Sequence, residues 1–122
     1  MNTSIPVLVV EDSTTVSTII FNHLRKLGFT DVDLAQDGKS ALDHLNQKPY
    51  GIILSDWEMA PMGGDQFLKE LRQNQQFSKI PVVLISGKSS RGASWSAGAS
   101  AHLSKPFSGG DFATAVKIAL RK

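Results

Sequence analysis

The chain contains no cysteine, so neither disulfides nor thiolate-held metals enter its fold, and a reducing compartment is compatible with it. It also lacks a long apolar run. The longest near the N-terminus, Ile5 to Val10, gives way at once to Glu11 and Asp12, too short for a signal peptide or a membrane span. The expectation is a soluble, cytoplasmic protein with no membrane partner. Aromatics make up only 7% of the residues, and the 13 Lys and Arg are scattered, with Lys117, Arg121 and Lys122 forming a basic end. Nucleic-acid modules cluster their basic residues and interleave them with aromatics, so a net charge of +2 argues for no direct nucleic-acid binding. No G-x-G-x-x-G follows the first apolar run, and in Gly87-Lys88-Ser89 the place of a P-loop's first glycine is taken by Val82. Neither nucleotide-binding device is expected.

What remains is a 122-residue chain with 41% hydrophobic residues, enough for one domain over 1–122 with its own core. Short apolar runs alternate with helical periodicity from end to end, the pattern of an α/β protein with a parallel sheet. Ile5 to Val10, Ile52 to Leu54 and Val82 to Ile85 read as strands buried on both faces. Val16, Ile19, Ile20, Leu24 and Leu27 recur at helical spacing after a Ser13-Thr14 start and stop at Gly28, which predicts the first helix. Further helices are predicted around Ala41 to Leu45, Phe67 to Leu71 and Phe112 to Leu120, and a short one within the Gly-, Ser- and Ala-rich stretch Gly87 to Ser100. Val32-Asp33-Leu34 alternates and Ala101 to Ser104 is half polar, as edge strands are. An order 2-1-3-4-5 puts both at the edges with right-handed crossovers.

In such sheets ligands bind beyond the carboxyl ends of the strands, at the point where the strand order reverses. Glu11 and Asp12, Asp56, Ser86 and Lys105 each follow a strand-like run, so the fold would gather them on one edge. Three carboxylates in one crevice raise one another's pKa values unless a cation joins them. Mg2+ suits the set, with Asp12 and Asp56 as direct ligands and Glu11 through water. Glu11-Asp12 has a second reading as a helix N-terminal signal. Asp56 is a candidate nucleophile, because a carboxylate can accept a phosphoryl group. Lys105 would neutralise the spreading charge and Ser86 would donate a hydrogen bond. Taken singly, Ser86 also reads as a turn cap and Lys105 as a solvated cation. His23 and His44 lack metal-ligand spacing and read as surface residues.

Val9-Val10-Glu11-Asp12, Asp56-Trp57-Glu58-Met59, Ser86 after Val82 to Ile85, Ala97-Gly98-Ala99 and Lys105-Pro106-Phe107 together resemble the receiver domains of two-component response regulators, in particular single-domain CheY-like proteins. The resemblance implies a flavodoxin-like (βα)5 three-layer sandwich. It implies phosphorylation of Asp56 by a sensor histidine kinase or phosphotransfer protein, with Mg2+ held by Glu11, Asp12, Asp56 and the main-chain carbonyl of Glu58. Ser86 and Lys105 would bind the phosphoryl group, and Lys105-Pro106 would be a cis peptide. Such a protein catalyses only its own phosphorylation and dephosphorylation, acts as a monomer or weak dimer, and offers its downstream target the face of the fourth helix, fifth strand and last helix. Chemotaxis is one expected setting. The alternatives are an excised receiver of a DNA-binding regulator or hybrid kinase, and a small Mg2+-dependent aspartyl-phosphate phosphohydrolase.

The departures from the family pattern are local. Ala60 stands where relatives usually carry proline, Pro61 follows it, and Gly63-Gly64 replaces Asp/Asn-Gly. The aromatic switch position three before the lysine holds His102, expected to turn toward Ser86. Glu58 and Lys88, each two residues past a site residue, are expected to pair across the phosphoryl entrance and slow attack by water.

Overall fold

The computed structural model describes residues 2–56, 64–87 and 98–121. Its elements run β1 (Val7–Val10), α1 (Thr14–Leu27), β2 (Val32–Ala35), α2 (Gly38–Leu45), β3 (Ile52–Asp56), α3 (Gly64–Gln73), β4 (Val82–Ser86), β5 (Ala101–Ser104) and α4 (Gly109–Leu120). The strands form one parallel sheet of order β2-β1-β3-β4-β5, as the edge-strand argument requires. The three inner strands are buried at every position, whereas β2 and β5 are only partly covered. A further helix is expected within Gly87 to Ser100, and residues 88–97 of that stretch lie outside the described residues.

Strand periodicity divides the apolar side chains between two cores. Val7, Val9, Ile52, Leu54, Val83 and Ile85 meet Ile20 and Leu24 of α1 and Phe112, Val116 and Ala119 of α4. Leu8, Val10, Ile53, Val82 and Leu84 meet Ala41 and Leu45 of α2 and Phe67, Leu68 and Leu71 of α3. The result is a flavodoxin-like three-layer sandwich.

Local chemistry sets the helix limits. The Ser13 hydroxyl accepts from the Val16 amide, and Gly28 ends α1 in the left-handed region at φ +104°, a conformation that glycine adopts without steric cost. Asp37 caps α2, and Ser108 with Asp111 forms a reciprocal capping box on α4. Gly51 admits a close approach of the N-terminal segment, since a Cβ there would lie 2.8 Å from Ile5 Cδ1.

Two side chains hold elements together in ways that spacing did not reveal. Arg72 of α3 donates to the carbonyls of Gly98 (Nε, 3.1 Å), Ser78 (3.1 Å) and Ile80 (2.9 Å), tying the loop before β4 to the turn before β5. His23, expected at the surface, is half-buried: its ring stacks on Phe112 at 5.1 Å between centroids and lies 5.7 Å from Phe107. Position 23 falls three after Ile20 and four before Leu27, on the packed stripe of α1. His44 is likewise half-buried, its Nδ1 2.9 Å from the Ser40 carbonyl oxygen.

Candidate functional site

After β1 the chain crosses to the layer of α1, and after β3 it crosses to the opposite layer with α3. The connections diverge, and a crevice opens between the carboxyl ends of two adjacent strands. Glu11 and Asp12 leave β1 on one side of it, and Asp56 closes β3 on the other. One carboxylate oxygen from each of Glu11, Asp12 and Asp56 lies within 4.8 Å of the others. Successive residues point to opposite sides of an extended chain, and here the difference is large: Glu11 is 2% exposed while Asp12 is solvent-accessible.

Glu11 Oε2 accepts from the Ser13 amide at 3.0 Å, but Glu11 Oε1 is buried with no hydrogen-bond partner among the described residues. Burial is the main cause that pushes the Glu11 carboxyl up from 4.5 to about 7, with the Asp56 charge and the Asp12 side chain adding to it, against the Ser13 amide and the Lys105 ammonium. The folded state therefore binds more protons than the unfolded between pH 4.5 and 7. This contribution to stability is complete below 4.5 and is lost as pH rises through 7. In EDTA, the urea midpoint of the wild type should fall relative to Glu11→Gln across that window; parallel pH profiles would show that Glu11 ionises normally.

Asp56 is 4% exposed, and Lys105 Nζ lies 3.1 Å from its Oδ1. The Ser55 hydroxyl donates to the Asp56 carbonyl at 3.1 Å. Ser86 ends β4, the neighbour of β3, and its carbonyl accepts from the Lys105 amide at 2.8 Å. That bond continues the β4–β5 pairing by one residue past Ser86 and Ser104, so the sheet itself delivers Lys105 to the crevice. The Lys105-Pro106 peptide is cis, as the resemblance implied. Ser86 Oγ is 2.8 Å from His102 Nε2, which places the imidazole against the hydroxyl.

Among the described residues the crevice thus sets one ammonium against three carboxylates. An oxygen-only donor set, one oxygen of it buried and unpartnered, fits a hard divalent cation such as Mg2+. The structure gathers Glu11, Asp12, Asp56 and Lys105 at one crevice, with Ser86 at the end of the adjoining strand. The Glu58 carbonyl and the Glu58–Lys88 pair lie outside the described residues. Sequence reasoning had Ser13 as a helix start and missed its amide as a partner of Glu11. The signal lay in the two-residue offset, which brings an N-cap amide back to a strand-end carboxylate.

Residues 7–117 match the response regulator receiver domain. The chain is similar to the chemotaxis protein CheY-3 of Vibrio cholerae, at 32% identity over 110 residues that span 88% of this chain and 85% of that one. In structure it resembles a putative response regulator from Chloroflexus aurantiacus (TM-score 0.92, 25% identity, covering 98% of this chain and 99% of the other). It also shares its fold with the receiver domain of a sensor histidine kinase from Pseudomonas aeruginosa (TM-score 0.87, 24% identity, 98% and 99% covered), whose structure has a magnesium ion coordinated in the active-site cleft.

Proposed function

Because the chain belongs to the response regulator receiver family of two-component signalling, we propose that it is a phosphorylation-operated switch: Asp56 takes a phosphoryl group from a histidine kinase or phosphotransfer protein, and the change alters binding of a downstream partner. The observation that carries this reading is the buried Asp56 carboxylate with Lys105 Nζ 3.1 Å away. An aspartate held only for stability would not need two further carboxylates beside it, because like charges in one site oppose ionisation.

In the transfer, an Asp56 oxygen forms the new bond to phosphorus while the bond from phosphorus to the donor histidine nitrogen breaks, its electron pair staying on that nitrogen. Little covalent work falls to the protein, so positioning and charge stabilisation dominate. Lys105 moves from a carboxylate oxygen to the phosphoryl oxygens, and the Ser86 hydroxyl donates a hydrogen bond to one of them. Glu11, Asp12 and Asp56, with the Glu58 carbonyl, would hold Mg2+, as the Pseudomonas receiver's cleft holds its magnesium ion. When bound, Mg2+ supplies positive charge against the phosphoryl oxygens. The protein acts on its own aspartate and is no enzyme toward other substrates.

Ser86 leads on to His102, which lines a groove of about 350 Å3 between β5 and α4 with Leu103, Pro106, Thr114 and Ile118. We place the downstream protein on this face, together with the helix expected within Gly87 to Ser100. Likeness to CheY-3 supports chemotaxis as the process, in the cytoplasm, with the switch a monomer or weak dimer spanning one domain over 1–122. The test is incubation with Mg2+ and acetyl phosphate followed by intact-mass measurement. Wild type should gain one phosphoryl mass, and EDTA should prevent it. No gain would count against the switch, and rapid turnover of unrelated phosphoesters would favour a phosphohydrolase.

A further inference from the structure

The contact between Ser86 Oγ and His102 Nε2, 2.8 Å, has a direction that matters. A serine hydroxyl carries one proton and two lone pairs, and a neutral imidazole carries one N–H and one bare nitrogen. If Nε2 is bare, it accepts a hydrogen bond from the Ser86 hydroxyl, which then has only lone pairs facing the crevice. If Nε2 carries a proton, in a neutral or a charged ring, it donates to Ser86 Oγ and frees the hydroxyl proton to point elsewhere. Ser86 is 1% exposed, so bulk water does not blur the choice. Phosphoryl oxygens only accept at this site, so they require the second arrangement.

We propose that His102 is a positioning residue for Ser86: its Nε2–H donates to the Ser86 hydroxyl oxygen and turns the one Ser86 proton toward the phosphoryl group on Asp56. The proposal rests on the phosphoryl-transfer reading above. It goes beyond it in giving the imidazole a hydrogen-bonding task that an aromatic ring without nitrogen cannot perform. The sheet explains the reach. His102 pairs with Leu84 in the β4–β5 register, two residues before Ser86, so Leu84 and Ser86 share a sheet face and the imidazole spans one diagonal step. By linkage, a phosphoryl group that demands the Ser86 proton selects the Nε2–H form, and that form holds the phosphoryl group more tightly. Since His102 also lines the groove between β5 and α4, a partner seated there touches the ring that orients Ser86.

The test uses beryllofluoride with Mg2+ as an unreactive phosphoryl mimic on the full chain. His102→Phe keeps a ring without nitrogen and should bind beryllofluoride roughly tenfold more weakly, the worth of one hydrogen bond. His102→Gln keeps an N–H donor and should stay within about twofold of wild type. In His102→Phe/Ser86→Ala the loss should not exceed that of Ser86→Ala alone, because both changes remove the same interaction. Independently of any variant, the nitrogen-15 spectrum of the wild-type complex should show His102 Nε2 protonated. A bare Nε2 in the complex, wild-type affinity in His102→Phe, or additive losses in the double variant would overturn the proposal while leaving phosphorylation of Asp56 intact. Wild type that fails to bind beryllofluoride, or Asp56→Asn that binds it equally well, would overturn the phosphoryl-transfer reading and this proposal with it.

Discussion

Asp56→Asn should reduce phosphoryl incorporation from acetyl phosphate to background while leaving the fold in place. The side chains are nearly the same shape, and the amide oxygen still accepts from Lys105, now 3.1 Å from Asp56 Oδ1. What is lost is the anionic oxygen that bonds to phosphorus, and a neutral amide is a poor substitute for it. Glu11 supplies a second, independent readout. The Asp56 charge helps hold the Glu11 carboxyl up at about 7, so removing it should lower the Glu11 pKa and narrow the window in which stability depends on pH. Intact mass reads the first effect and a pH series of urea midpoints the second. An asparagine variant that still gains one phosphoryl mass at the wild-type rate would move the acceptor to another residue.

Phe112→Ala should cost about 3–5 kcal/mol of stability, the range for truncating a buried aromatic, out of a total of roughly 5–15 kcal/mol for a domain. Phe112 has no exposed surface, packs within the core shared by α1 and α4, stacks on His23 at 5.1 Å and meets the tilted ring of Phe107 at 5.9 Å. Alanine would leave a cavity beneath the loop that carries Pro106 and Phe107, the two residues that follow the delivered lysine. Phe112→Leu fills most of that space and should cost less, about 1 kcal/mol. Urea unfolding of the three proteins decides the matter; an alanine variant within about 1 kcal/mol of wild type would mean the site collapses or is not packed as described.

The limits of α1 could be read from Ser13 and Gly28 because a cap and a left-handed terminus are set within a few residues. The sheet order could be read from Asp33 and the half-polar β5, since partial burial leaves a polar trace in the sequence. That Glu11, Asp12, Asp56, Ser86 and Lys105 gather at one edge followed from the order alone, because each lies at or just past the carboxyl end of its strand. Other features depend on what lies across space. That Glu11 is buried while its neighbour Asp12 faces solvent, that Lys105 reaches Asp56, and that His23 packs against two phenylalanines are properties of packed surfaces. Helical spacing would have put His23 on the right stripe, but a histidine there carries no apolar signal to count.

The paired carboxylates and the groups facing the phosphoryl site are secured to parts of the sheet that differ in how readily they open. β1 and β3 are bonded to neighbours on both sides and have no exposed residue at Val7 to Val10 or Ile52 to Leu54, so their amides should exchange with deuterium only when the whole domain unfolds. The carboxyl groups of Glu11 and Asp56 therefore cannot separate by fraying. His102 belongs to β5, an outermost strand, where brief local opening costs far less. Hydrogen exchange should then divide the site into a half that keeps its shape for as long as the protein is folded and a half that samples alternatives many times within that lifetime, so the charged half can wait for a donor while the other keeps moving.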